Sequence, residues 1–244
     1  MKTANIFRTV GFYCISIGVV LLAAPPLLLL ILLPERWRYN KIFLFCLHFL
    51  YRGITGALLI PLTVIYEDII PCQPLLIVAN HQSVFDIPLI GTILPLYPHM
   101  WLYKYELDAI PILSFFIRRM GIAIGRSSSM DGMRALSCTL KKMKATSCQI
   151  IIFPEGGRFT DGILHEFFAG FALLALKTGH PVVPIYLENV GQVCPPGSFF
   201  VRYAPVRIVV GSRLNMQPQE NMQEFSERVR HWFIEHEEKK RYVR

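Results

Sequence analysis

The stretch from Thr9 to Leu33 contains no charged residue, and this constrains the chain more than any other feature. About 20 apolar residues suffice for a helix to cross the hydrocarbon core of a bilayer. A cleaved signal peptide is the competing reading. Against it, Ala23-Ala24 is followed by Pro25-Pro26 and then by more leucines, so the apolar run does not end at the small residues. Proline inside a helix removes a donor and costs about 3 kcal/mol. The run is therefore expected as a kinked span or as two shorter helices dipping into one leaflet. A second apolar stretch, Ile42 to Tyr51, lies between Lys41 and Arg52 and is too short to span. Together they predict a helical hairpin with Arg36, Arg38, Lys41 and Arg52 at the headgroups. Trp37, Tyr39 and Tyr51 suit that interface. A monotopic arrangement is favoured over a spanning one.

The 244 residues leave room for one sizeable domain after this segment. The expected division is residues 1–60 as membrane-associated helices and 61–244 as a single domain. The net charge is +8, yet the cations are scattered and form no arm or nucleic-acid motif. Cations flanking apolar segments fit an anionic lipid surface better than nucleic acid. None of the six cysteines forms a CxxC pair or stands near a histidine at zinc-finger spacing, so they read as free buried thiols.

Beyond residue 60, strand-length apolar runs end at breakers: Leu75–Ala79, Ile150–Phe153, Val182–Leu187 and Val206–Val210. Helical patterns fall between and after them, at roughly 86–96, 106–119, 130–147, 165–178 and 218–240. Such alternation predicts an α/β domain, a layered mixed sheet flanked by helices. In that architecture chemistry gathers where strands end and helices begin.

Two segments stand at such points. Asn80-His81-Gln82-Ser83-Val84-Phe85-Asp86 follows the first run. An aspartate five residues after a histidine can fold back across a helix's first turn, fix the ring's tautomer and leave the other nitrogen as a base. Taken alone, the spacing fits a helix-capping aspartate equally well. Phe153-Pro154-Glu155-Gly156-Gly157-Arg158 follows another run. Its glycines permit close backbone approach to a ligand, and Arg158 offers a planar fork for phosphate oxygens. Alone, this segment reads as a glycine turn with a surface ion pair. Lys104 and Arg126 add a basic pair, which in isolation would be solvated. No Gly-x-Ser-x-Gly elbow occurs, so a serine nucleophile lacks its setting. A substrate hydroxyl deprotonated by His81 needs no enzyme nucleophile.

In order and spacing these segments resemble the glycerolipid acyltransferase family, which includes the 1-acylglycerol-3-phosphate acyltransferases. Asn80-His81-x-x-x-x-Asp86 is similar to its NHxxxxD box, and Lys104-Tyr105-Glu106-Leu107-x-x-x-Pro111 to its KxELxxxP segment. Gly121–Arg126, Phe153–Arg158 and Pro181–Ile185 resemble three further blocks, the middle one being FPEGTR. The resemblance implies a glycerol-3-phosphate acyltransferase-like fold. It implies that His81 is a general base oriented by Asp86. It assigns acceptor binding to Asn80, Lys104, Arg126, Glu155, Gly156, Gly157 and Arg158. It implies an acyl-CoA or acyl-carrier-protein donor, membrane lipids as partners, and no metal or redox cofactor. The implied location is a membrane with the active domain facing the cytoplasm, a bacterial inner membrane ahead of a eukaryotic endomembrane. The chain departs from the pattern on the acceptor side. Gly157 replaces threonine, Phe168 stands where the family has lysine, and the Gly121–Arg126 block is one residue short. Another lysophospholipid or amphiphile acceptor, a thioesterase, or a non-catalytic lipid-binding relative are the alternatives.

Overall fold

The computed structural model describes residues 2–109, 111–125, 129–159, 161 and 163–242. Among them, seven strands form one sheet: β1 (Leu62–Tyr66), β2 (Leu76–Ala79), β3 (His99–Lys104), β4 (Gly121–Ile124), β5 (Gln149–Ile152), β6 (Val182–Glu188) and β7 (Val206–Val210). The order is β1-β7-β6-β2-β5-β3-β4. All neighbours run parallel except β6 and β7. The sheet is thus mixed and flanked by helices, as the alternating pattern predicts.

The central strands are covered on both faces, which is why they read as unbroken apolar runs. Ile77 and Ala79 of β2 join the cluster containing Leu89, Ile185 and Ile208. Leu76 and Val78 point the other way and pack with Ile150, Phe171, Val229 and Phe233. The helices are α1 (Lys2–Ile31), α2 (Glu35–Arg38), α3 (Lys41–Ala57), α4 (Asp86–Ile93), α5 (Pro111–Met120), α6 (Ser129–Ala145), α7 (Gly170–Thr178), α8 (Val190–Val193) and α9 (Met222–Tyr242).

Strands β1, β3 and β4 go beyond the sequence reading. β3 is His-Met-Trp-Leu-Tyr-Lys and carries polar ends, and β4 is four residues long, so neither shows a clean apolar run. The helix expected at 106–119 is two pieces, a 3₁₀ turn (Tyr105–Ala109) and α5, with Pro111 at the new start. Proline fits the first turn of a helix and not its interior. The helix expected from 165 begins only at Gly170.

The N-terminal run is one continuous helix about 45 Å long at 1.5 Å per residue, with Pro25 and Pro26 inside it. The missing donors leave the carbonyls of Leu21 and Leu22 without their i+4 partners. Packing of Ala23, Leu27 and Ile31 against Phe43, Leu44 and Leu47 of α3 holds the helix on both sides of that gap. Gly53 allows the close approach, since a Cβ there would lie 2.5 Å from Val19. Asn40 caps α3 by accepting from the Phe43 N–H at 2.9 Å. The outer sides of the pair are bare: Leu22 is 70% exposed, Leu29 73% and Phe45 64%. Helix α1 is the one described helix long and apolar enough to cross a membrane.

Candidate active site

The parallel central strands end on the same edge of the sheet, and the histidine and glycine segments meet there. Strand β2 stops at Ala79. The Asn80 amide then replaces the ladder by donating to the Leu187 carbonyl at 2.9 Å and accepting from the Leu187 N–H at 2.7 Å. Asn80 is buried and spends its side chain on clamping β2 to β6.

Next to it, His81 donates from Nδ1 to Asp86 Oδ2 at 2.7 Å. The same oxygen accepts from the backbone N–H groups of Gln82 at 2.6 Å and Ser83 at 2.8 Å. Asp86 opens α4 with its side chain fully buried. The carboxylate therefore ties down the turn before α4 and steers the ring at once; no side chain caps the helix, so the spacing serves the histidine rather than a helix cap. A carboxylate at Nδ1 assigns the proton to that nitrogen and leaves the Nε2 lone pair available. Nε2 has no partner among the described residues, and the side chain keeps 16% exposure.

The imidazole lies on the Phe153 ring, centroids 3.9 Å apart and planes 15° off parallel. Behind Phe153, Trp101 stacks at 6.0 Å. The Trp101 indole N–H donates to the Tyr51 hydroxyl at 3.1 Å. Tyr51 stands 3.3 Å from His99 Nε2, and His99 Nδ1 stands 3.1 Å from the Tyr97 carbonyl. Only one proton arrangement satisfies this buried chain: Nδ1–H donates to Tyr97 and Nε2 accepts from Tyr51. Burial pushes the His99 pKa down to about 4, which keeps the ring neutral. The floor under His81 is thus tied through aromatic stacking to α3.

Glu155 frames the other side. Its Oε1 accepts from the His81 N–H at 3.0 Å and its Oε2 from the His165 N–H at 3.3 Å. Burial raises its pKa, and these two N–H groups oppose the rise. Gly156 has φ +69°, a left-handed conformation natural to glycine, and donates to the Phe153 carbonyl at 3.1 Å. A Cβ at Gly157 would lie 2.9 Å from the Phe159 ring. Phe159 takes that room and stacks on His165 at 3.6 Å, while His165 Nε2 meets Asp161 at 2.8 Å. The Phe159 N–H donates to the His81 carbonyl at 3.1 Å, so the segment carrying Arg158 runs directly beside His81. Arg158 is exposed. Lys104 is exposed at the end of β3, in register with Ile124 of β4. Arg126 lies outside the described residues.

Two cavities adjoin this centre. One, of about 550 Å³, is apolar, with Phe153 in its wall beside Leu102, Ile124, Ala135, Leu136 and Leu174. The other, of about 690 Å³, is polar, with Gln82, Glu155, Phe159, Gln192, Arg202 and Tyr203 in its wall. Of these, Phe153 and Gln82 lie inside the two segments singled out in the sequence without being named as site residues, and Phe159, Gln192, Arg202 and Tyr203 carry no recognisable sequence signal. Among the described residues, no three His, Cys, Asp or Glu side chains converge to hold a metal.

A family model described as Acyltransferase matches residues 62–188, from β1 through β6. A 1-acyl-sn-glycerol-3-phosphate acyltransferase of Pseudomonas aeruginosa is 26% identical over 246 residues, covering 96% of this chain and 92% of that protein. The chloroplastic 1-acyl-sn-glycerol-3-phosphate acyltransferase BAT2 of Brassica napus is 33% identical over 141 residues. That match covers 56% of this chain and spans 40% of the relative's own length. The crystal structure of the 1-acyl-sn-glycerophosphate (LPA) acyltransferase PlsC from Thermotoga maritima superposes with a TM-score of 0.82 at 26% identity. It covers 98% of this chain and 97% of that one.

Proposed function

The chain belongs to the acyltransferase family, and from that premise we propose that it moves a fatty acyl group from a thioester to the free hydroxyl of a lysophosphatidate-type lipid. The observation that carries this reading is the His81 imidazole, held by Asp86 at Nδ1 and unpartnered at Nε2 among the described residues, stacked on a residue of the apolar cavity's wall and followed by one of the polar cavity's.

His81 Nε2 takes the proton of the acceptor hydroxyl as that oxygen attacks the thioester carbonyl. A new C–O bond forms, the C–S bond breaks, and the leaving thiolate recovers the proton from the imidazolium. General base assistance of this kind contributes about 10² to 10⁴ in rate. The oxyanion formed on the way needs preorganised donors. The apolar cavity takes the acyl chain. The acceptor's phosphate is held by Arg158, Arg126 and Lys104, the cations that the family resemblance assigns to it. Asn80, Glu155, Gly156 and Gly157 shape the floor on which the headgroup rests. Acyl-CoA or acyl-carrier protein is the donor, and no metal or redox group takes part.

In this reading residues 1–60 lie in one leaflet as a helical pair and 61–244 form the catalytic domain on the cytoplasmic side. The bare apolar flanks of α1 and α3 supply the lipid-facing surface, too extensive to leave to water. The test is to offer the purified full-length protein mixed lysolipids and an acyl-CoA and to identify products by mass spectrometry. Diacylated phosphatidate is the expected product. Products from other lysolipids alone would overturn the acceptor assignment, and free fatty acid alone would overturn transfer.

A further inference from the structure

The polar cavity contains a cation that no motif identifies. Arg202 lies in the loop between α8 and β7 and lines the same cavity as Gln82, the residue after His81. Neighbouring arginines are neutralised: Arg207 holds Glu188 at 2.8 Å, Arg213 holds Asp68 at 3.1 Å and Arg228 holds Glu220 at 2.7 Å. Arg158 and Arg202 hold no carboxylate among the described residues, and both are exposed. Both stand within electrostatic range of one thiol. Burial pushes the Cys194 thiol up, and the fields of Arg202 and then Arg158 pull it back.

The loop is also built to hold Arg202 still. Its own N–H donates to the Val193 carbonyl at 2.8 Å. On one side, the Val201 N–H donates to Thr9 Oγ1 at 3.0 Å. On the other, the Arg8 guanidinium sits 5.0 Å over the Tyr203 ring. Arg8 is in turn anchored on the carbonyls of Leu58 and Leu59 at 3.1 and 2.8 Å. Thr9 and Arg8 belong to α1, whose Ala4 and Asn5 line the cavity too. A cation on a pinned backbone, holding no carboxylate among the described residues, on the wall of a polar cavity, is suited to an oxyanion.

The geometry points to Arg202 as the second guanidinium of the acceptor site, closing with Arg158 on the phosphomonoester of the lysolipid. This rests on the acceptor reading given above. It also gives α1 a role beyond its apolar flank, since α1 positions the loop that carries the cation.

A phosphomonoester also occurs on coenzyme A, so the test separates the two. Wild type, Arg202→Gln and Arg202→Lys are compared in full-length form for acceptor KM, donor KM and kcat. Equilibrium binding of a short-chain lysophosphatidate is measured beside them. Losing a charged hydrogen bond is expected to weaken acceptor KM and binding about tenfold or more in Arg202→Gln. Donor KM and kcat are expected to stay within about twofold, and Arg202→Lys to recover much of the loss. A shift in donor KM alone, or unchanged acceptor KM and binding, overturns the assignment. Weakened binding in a protein that forms no phosphatidate would sustain the site and sink the proposed reaction instead. Phosphatidate formed by Arg202→Gln with wild-type acceptor KM and binding would do the reverse.

Discussion

The two cavities beside His81 differ in almost every physical respect, and the difference matches the two halves of a lipid acyl transfer. One is walled by Leu102, Ile124, Leu136 and Leu174 and suits a hydrocarbon chain. The other is walled by Gln82, Glu155, Gln192 and Arg202 and suits a charged headgroup. His81 stands next to residues of both walls: the Phe153 ring that stacks on its imidazole lines the apolar cavity, and Gln82, the next residue, lines the polar one. Under the proposed function, His81 serves there as the base between a hydroxyl arriving from one side and a carbonyl arriving from the other. The contrast teaches that substrate assignment here follows from solvation. An apolar chain gains about 0.8 kcal/mol for each methylene withdrawn from water, while a phosphate needs donors.

The largest expected effect removes the group on which both halves of the proposed transfer depend. His81→Ala is expected to lower kcat by about 10² to 10⁴ with any donor and acceptor pair, the fold remaining intact by circular dichroism. Turnover at the wild-type rate would remove His81 as the base. Narrowing one cavity should separate the two sides. Leu136→Trp is expected to reduce use of long-chain thioesters by about tenfold or more, as two or three methylenes lose their place. Short-chain donors and the acceptor KM should be unaffected. A rise in acceptor KM instead would reverse the assignment of the cavities.

A smaller effect is expected on the polar side. Gly157→Thr places a side chain against the Phe159 ring and displaces it from His165. Acceptor KM should change about threefold while donor KM holds, by analogy with the modest cost of local repacking. Equal changes in both constants would show that the cavities are not independent.

The smallest effect concerns stability behind the Phe153 ring. The folded-state pKa of His99 is depressed to about 4 by burial, whereas the unfolded chain takes up its proton near 6.5. The stability tied to its neutral form is therefore complete above about pH 6.5 and is lost as pH falls towards 4. Thermal midpoints measured across that window should decline more gently in His99→Gln than in wild type. Identical slopes would mean that His99 is not held neutral in the fold.

Much of the site was legible because it is local. His81 and Asp86 are five residues apart, and a helix starting at the second brings them together whatever else the chain does. The glycine segment was legible for the same reason, since a strand end followed by Gly156 in a left-handed conformation depends on neighbouring residues alone. The apolar runs of β2, β5, β6 and β7 were readable because burial on both faces leaves an uninterrupted pattern. β3 and β4 were not, because their pairing with β5 and with each other, and not their composition, makes them strands.

The sequence by itself determined the layered α/β class and the apolar first helix, and it named His81 and Asp86 as a candidate pair. Tertiary structure decided the rest: that α1 runs unbroken through Pro25 and Pro26, that Phe153 lies under His81, and that Arg202 shares a cavity with Gln82. The physical reason is distance along the chain. Residues 81 and 153, or 82 and 202, are brought together by strand order and register, and no short-range periodicity records where a strand's neighbours come from.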